Sequence, residues 1–131
     1  MELLIAFGTD DGEHFNNDHF GMAKYFYVYR FSDNREELVE RRENVKFEGD
    51  EAMKHGDPEK AKSTSSVLKN VNVIVGRKFG PNLIRLLGKF VCVVVRTDSL
   101  TKAIKAVHNN MDRIVEERNK GEDRKHLVLK P

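Results

Sequence analysis

Cysteine is almost missing from this sequence: Cys92 is the only one. An internal disulfide is therefore impossible. So is a zinc or iron–sulfur centre built from the thiolates of one chain, which needs several of them. Long apolar runs are missing as well. Stretches such as 91–95 fall far short of the roughly 20 residues that cross a bilayer. No basic-then-apolar leader with a small-residue cleavage site opens the chain. A soluble cytoplasmic protein with no membrane partner is the expectation. The third absence is an excess of one charge. Lys and Arg number 23 against 21 Asp and Glu, a net charge of +2, and the two signs are interspersed. Nucleic-acid binders usually carry a stronger basic bias, so a nucleic-acid partner is not expected.

What is present suits one compact domain and not two, at 131 residues of which 39% are hydrophobic. Residues 1–120 read as that domain and 121–131 as a charged tail. The stretch from Thr9 to Tyr29 carries most of the functional signal. It leaves an apolar run, crosses a loop dense in acids and histidines (Asp10, Asp11, Glu13, His14, Asp18), and returns as an aromatic strand. At its centre stands His19-Phe20-Gly21. Such a motif can hold a backbone turn or present an imidazole to a ligand.

Leu3 to Phe7 is apolar without alternation, as in a strand buried on both faces, and Gly8 ends it. Lys24 to Phe31 is aromatic and β-branched, hence a strand. Ser32-Asp33-Asn34 turns it into Glu36 to Arg42, an antiparallel partner strand or, on the helix propensity of Glu and Arg, a helix. Residues 43–56 have no period and read as a long loop. Asp57-Pro58 starts a helix, with Asp as cap and Pro at the first position. It runs to about Asn70 and buries Ala61, Val67 and Leu68, although Ser63 to Ser66 is a poor helical run. Val71 to Val75 is a second buried strand. Gly80-Pro81 opens a short helix with an apolar face of Leu83, Ile84, Leu86 and Leu87, stopped by Gly88. Phe90 to Val95 is the third buried strand. Asp98 or Ser99 caps a helix in which Ala103, Ile104, Val107, Met111, Ile114 and Val115 keep helical spacing to about Arg118. Leu127 to Leu129 is an apolar island that either docks or frays.

Alternation of strand and helix implies right-handed crossovers and parallel strands. The fold class expected is α/β: a five-stranded mixed sheet, with an N-terminal antiparallel hairpin, parallel βαβ units and helices packed on it. Ligands of such sheets sit beyond the carboxyl ends of the parallel strands. The histidine loop, the residues after Gly76 and those after Arg96 lie at that edge.

The run DHFGMAKYFYVY after an apolar strand and an Asp/Gly loop resembles the dinitrogenase iron–molybdenum cofactor biosynthesis family, which includes NifX-type proteins and the C-terminal part of NifB. His19, Phe20, Gly21, Ala23, Tyr25 and Phe26 match its pattern. His55-Gly56, the strand Val73 to Gly76 and Gly80-Pro81 fit it too, and the resemblance covers roughly Leu3 to Val107. It implies a ribonuclease H-like α/β fold. It also implies a small non-catalytic carrier of an iron–sulfur or iron–molybdenum-type cluster or precursor. The partners it implies are metal-cluster biosynthesis or nitrogenase-associated proteins. One departure from the pattern is the loop after the hairpin, which is longer and more charged here than the usual Gly-rich version.

The candidate binding residues are His19, Phe20, Gly21, His14, His55 and Arg77, with His19 the candidate metal ligand. His19 ligates through imidazole, or else braces its loop while Gly21 takes a dihedral closed to other residues. Phe20 reads as core. His14 and His55 either join His19 or are solvated loop histidines. Arg77-Lys78, before the Gly80 helix start, either attract an anion or are simply solvated. Cys92, between valines, reads as a buried small hydrophobe. Asp10, Asp11 and Asp98 offer an alternative function, a divalent-metal phosphohydrolase or nuclease. That reading lacks the carboxylate such enzymes set inside the first strand; turn formation by Asp10 and Asp11 and capping by Asp98 compete with it. A ligand-free interaction module is the third reading.

Overall fold

The computed structural model describes residues 2–44 and 58–131. Six strands form one sheet in the order β3-β2-β1-β4-β5-β6. The strands are β1 Leu3–Thr9, β2 Tyr25–Ser32, β3 Arg35–Glu43, β4 Val73–Gly76, β5 Val91–Val95 and β6 Leu127–Leu129. Strands β1, β4, β5 and β6 run parallel, and β2 and β3 run antiparallel as a hairpin beside β1. The α/β mixed sheet of the sequence reading is therefore present, with the hairpin at one side. Glu36 to Arg42 is strand and not helix. Its register slips by one residue at Val28/Tyr29, where β3 carries a bulge.

The tail docks instead of fraying, and adds a sixth strand to the five expected. Glu117 holds it there: one carboxylate oxygen accepts from the Lys125 amide at 2.9 Å and the other from Lys120 Nζ at 3.0 Å.

Alternation along the central strands divides the core in two. Leu3, Ile5, Phe7, Val73, Val75, Val91, Val93 and Val95 face one side. Ala6, Ile74 and Cys92 face the other. On the first face pack α3 (Leu100–Asn109) and α4 (Met111–Arg118); on the second pack α1 (Pro58–Val67) and α2 (Leu83–Leu87). The crossovers β4-α2-β5 and β5-α3-α4-β6 step the same way along the sheet but over opposite faces. They must differ in hand, so one of them departs from the right-handed expectation.

Three local expectations change. The helix after Ser99 is two helices, because Asn110 leaves helical geometry (φ −122°, ψ 22°) and its Nδ2 donates to the Ala106 carbonyl at 2.8 Å. Helix α1 ends at Val67, and Asn70 takes a left-handed φ of 70° in the turn that follows. Ile84 is 74% exposed and not part of an apolar face. A helix of five residues has one inner side, and Leu83, Leu86 and Leu87 fill it.

Candidate functional site

The carboxyl ends of β1 and β4 meet under one loop. That loop, residues 10–24, begins with a tightly bonded turn. Thr9, fully buried at the end of β1, accepts the Gly12 amide on Oγ1 at 2.9 Å and donates to the His14 carbonyl. Asp11 turns its Oδ1 to the amides of Glu13 and His14, both at 2.8 Å, and its Oδ2 to His14 Nδ1 at 2.9 Å. These hydrogen bonds favour the carboxylate and hold Asp11 well below the usual range, the His14 bond foremost. The same contact raises the His14 imidazole above its ordinary value. Asp10 accepts the Lys24 amide at 2.9 Å. Asp11 thus forms a turn, the role read from the sequence for both acids, whereas Asp10 ties the far end of the loop to its start.

Phe15 pins the first half of the loop. Its ring joins the cluster around Phe7, its amide donates to the Asp98 carbonyl at 2.9 Å, and Leu100 N donates to Glu13 O at 3.0 Å. His14 is bridged to Ser99 there. Ser99, not Asp98, caps α3, its hydroxyl accepting the Lys102 amide at 3.2 Å. An open cleft of about 220 Å³ lies between Asp10, Asp11, His14, Asn16, Asn17 and Asp98.

The second half crosses to the opposite face of the sheet. Phe20, 1% exposed, stacks on Phe26 at 4.9 Å and meets Phe79 at 5.2 Å. Its ring lies over two glycines, Gly8 next to last in β1 and Gly76 last in β4. A Cβ on Gly8 would come within 3.0 Å of Phe20 Cδ1, and one on Gly76 within 3.2 Å. Few real side chains sit so close, so these glycines form the floor on which the ring rests. The Phe20 amide donates to the Lys78 carbonyl at 2.8 Å. That bond lays the His-Phe turn alongside Arg77-Lys78, both exposed at the end of β4.

His19 follows from this arrangement. Its ring packs against Gly80, where a Cβ would sit 2.6 Å from the imidazole Cγ and closer still to Nδ1. Its side chain is 28% exposed, with Nδ1 4.0 Å from Asp18 Oδ1. Asn16, 5% exposed, donates through Nδ2 to the carbonyls of Asp18 and His19 at 3.1 and 2.9 Å. Asn44, just past β3, donates to those of Gly21 and Ala23, both at 2.8 Å.

His19, Phe20 and Gly21 are therefore one turn, and Arg77 borders it. His14 is not beside them: it belongs to the half of the loop anchored on the other face by Phe15. His55 lies outside the described residues. The dihedral role read for Gly21 belongs instead to Gly12 and Gly80, whose φ values are 83° and 74°; what Gly21 supplies is a carbonyl. Cys92 is fully buried, and burial pushes its thiol up to about 12. Among the described residues no three His, Cys, Asp or Glu side chains gather into a metal-holding group. The sequence reading missed Asn16, Asn44 and Asn82. Asn82, 8% exposed and two residues beyond Gly80, has a buried Oδ1 with no donor among the described residues.

The fold is α/β with a ribonuclease H-like mixed sheet, and its carboxyl edge carries a partly exposed histidine and a cationic pair. Residues 1–110 match the family described as dinitrogenase iron-molybdenum cofactor, and the chain belongs to it. That family is involved in biosynthesis of the cofactor. Helix α4 and strand β6 lie beyond the matched stretch. No curated protein matches the chain. Among the described residues no helix is long and apolar enough to cross a membrane.

Proposed function

We propose that this protein is a non-catalytic carrier of an anionic iron–sulfur or iron–molybdenum-type cluster, or of a precursor, received at the His19 edge. The observation that carries the reading is the placement of His19: its imidazole is held on Gly80 at an open rim, next to the exposed Arg77-Lys78 pair. The cluster is cargo. Imidazole is a competent iron ligand, and cations beside it favour a polyanion. The residues fit such a load in kind. One imidazole with two flanking charges holds loosely, which suits a load that must be passed on. The coordination positions left open on the cargo are for its own ligands or for a receiving protein, and cofactor-assembly proteins are the partners this implies.

The test is anaerobic loading with a cluster assembled from ferrous iron and sulfide, followed by gel filtration and visible absorption. Wild type retains colour through the column; His19→Ala loses it by about tenfold in affinity, the scale set by disturbing a metal's surroundings. Equal retention by both proteins removes His19 from the mechanism. The Asp10, Asp11 and Asp98 reading is tested separately by Mg²⁺- or Mn²⁺-dependent cleavage of labelled RNA.

A further inference from the structure

We propose that Gly80 is a positioning residue for the His19 imidazole, so that the missing side chain at position 80 sets where the ring is presented to the cargo. The inference rests on the carrier reading above for its functional half only; its geometric half stands alone. Two pairs interlock at the rim. Phe20 lies against Phe79 at 5.2 Å, and His19 lies against Gly80, one residue back on the first segment and one residue on along the second. The Phe20 N–Lys78 O bond of 2.8 Å fixes the offset between them. The place a side chain at 80 would occupy is filled by the ring itself, since an added Cβ falls 2.5 Å from Cε1 and 2.6 Å from Cγ. Both atoms belong to a short, two-torsion side chain on a bonded turn, so the ring must swing away to make room. Any L-residue at 80 also meets the backbone cost of φ 74°. Gly121 separates the two costs. It has φ 62° but nothing within 4 Å of its would-be Cβ, so Gly121→Ala carries the backbone strain without a displaced ring.

The experiment compares wild type, Gly80→Ala, Gly121→Ala and Gly80→Ala in a His19→Ala background. Its readouts are the His19 ring proton resonances and retention of the cluster assembled from ferrous iron and sulfide. In wild type the ring protons show nuclear Overhauser contacts to the Gly80 α-protons. In Gly80→Ala the ring resonances shift and retention falls about tenfold, to the level of His19→Ala. In Gly121→Ala neither changes. In the His19→Ala background Gly80→Ala lowers retention no further. Missing Overhauser contacts in wild type overturn the proposal even where Gly80→Ala does not fold. Unmoved ring resonances in a folded Gly80→Ala overturn it too, and so does a moved ring with full retention when His19→Ala has lost its load. If His19→Ala retains the cluster like wild type, the carrier reading falls, while the ring resonances still decide whether Gly80 seats the imidazole.

Discussion

Phe20→Ala tests the rim where it is most tightly packed. The lost ring is 1% exposed. Withdrawing it from the core forfeits roughly 2–3 kcal/mol of transfer free energy. The contacts with Phe26 and Phe79 add about 0.5–1.5 kcal/mol each. The void does not close easily, because its floor is the backbone of Gly8 and Gly76 and not flexible side chains. Together these give a loss of about 4 kcal/mol, inside the range of about 3–5 for buried Phe→Ala. With about 2.1 cal/mol/K of unfolding entropy per residue, 131 residues give about 0.28 kcal/mol per kelvin, so the melting temperature falls by about 14 °C. Urea unfolding followed by circular dichroism measures the loss, and Ile84→Ala, at a position 74% exposed, serves as the control within about 0.5 kcal/mol of wild type. Gly8→Ala adds a coupling: it destabilises wild type, where Phe20 Cδ1 is 3.0 Å from the new methyl, and costs less once the ring is gone. A Phe20→Ala loss under about 1 kcal/mol, or an additive double variant, would refute the picture of a ring resting on Gly8 and Gly76.

The Asp11–His14 pair gives a pH prediction. Asp11 is depressed from 3.8 and His14 raised from 6.5, so the contact contributes fully between those ordinary values. It fades below 3.8 as Asp11 protonates and above 6.5 as His14 loses its proton. In Asp11→Asn the His14 midpoint read by NMR moves down toward 6.5, and an unmoved midpoint contradicts the assignment. The Cys92 thiol, at about 12, resists iodoacetamide at pH 8 until the chain is unfolded in urea; rapid labelling of the native protein would show the site to be open. Arg42 donates through Nη1 to the carbonyls of Val67 and Lys69, at 2.9 and 2.8 Å, closing the end of α1 against β3. Arg42→Ala costs about 1.5–3 kcal/mol, read by urea unfolding, with faster amide exchange in 58–70; unchanged exchange there would assign Arg42 no capping role.

The parts legible in the sequence are those set by burial. Leu3 to Phe7, Val73 to Val75 and Val91 to Val95 are apolar on both faces because helices cover both faces, and runs so short and so rich in β-branched residues favour strand over buried helix. The helix break at Asn110 was not legible, since Ala103, Val107, Met111 and Ile114 keep one period across it and only the amide of Asn110 interrupts. Leu127 to Leu129 was too short to read as a strand without β5 beside it. His19 was visible as a motif; its support was not. Gly80 looked like a helix start, and its left-handed φ and the ring above it arise only when β1 and β4 stand side by side. Asn16 and Asn44 looked like ordinary loop amides, while in the fold they gather carbonyls from the turn.

The three-residue strand at the end of the chain also guards its neighbour. Val93, Val94 and Val95 pair with it, so the valine-rich β5 is not a border of the sheet. A version of the protein cut at residue 110, where the family likeness stops, would keep every residue of the histidine rim and yet leave that valine strand with bare amides and carbonyls. Such an edge invites other chains to add to it, so the shortened protein is expected to precipitate before its binding can be measured.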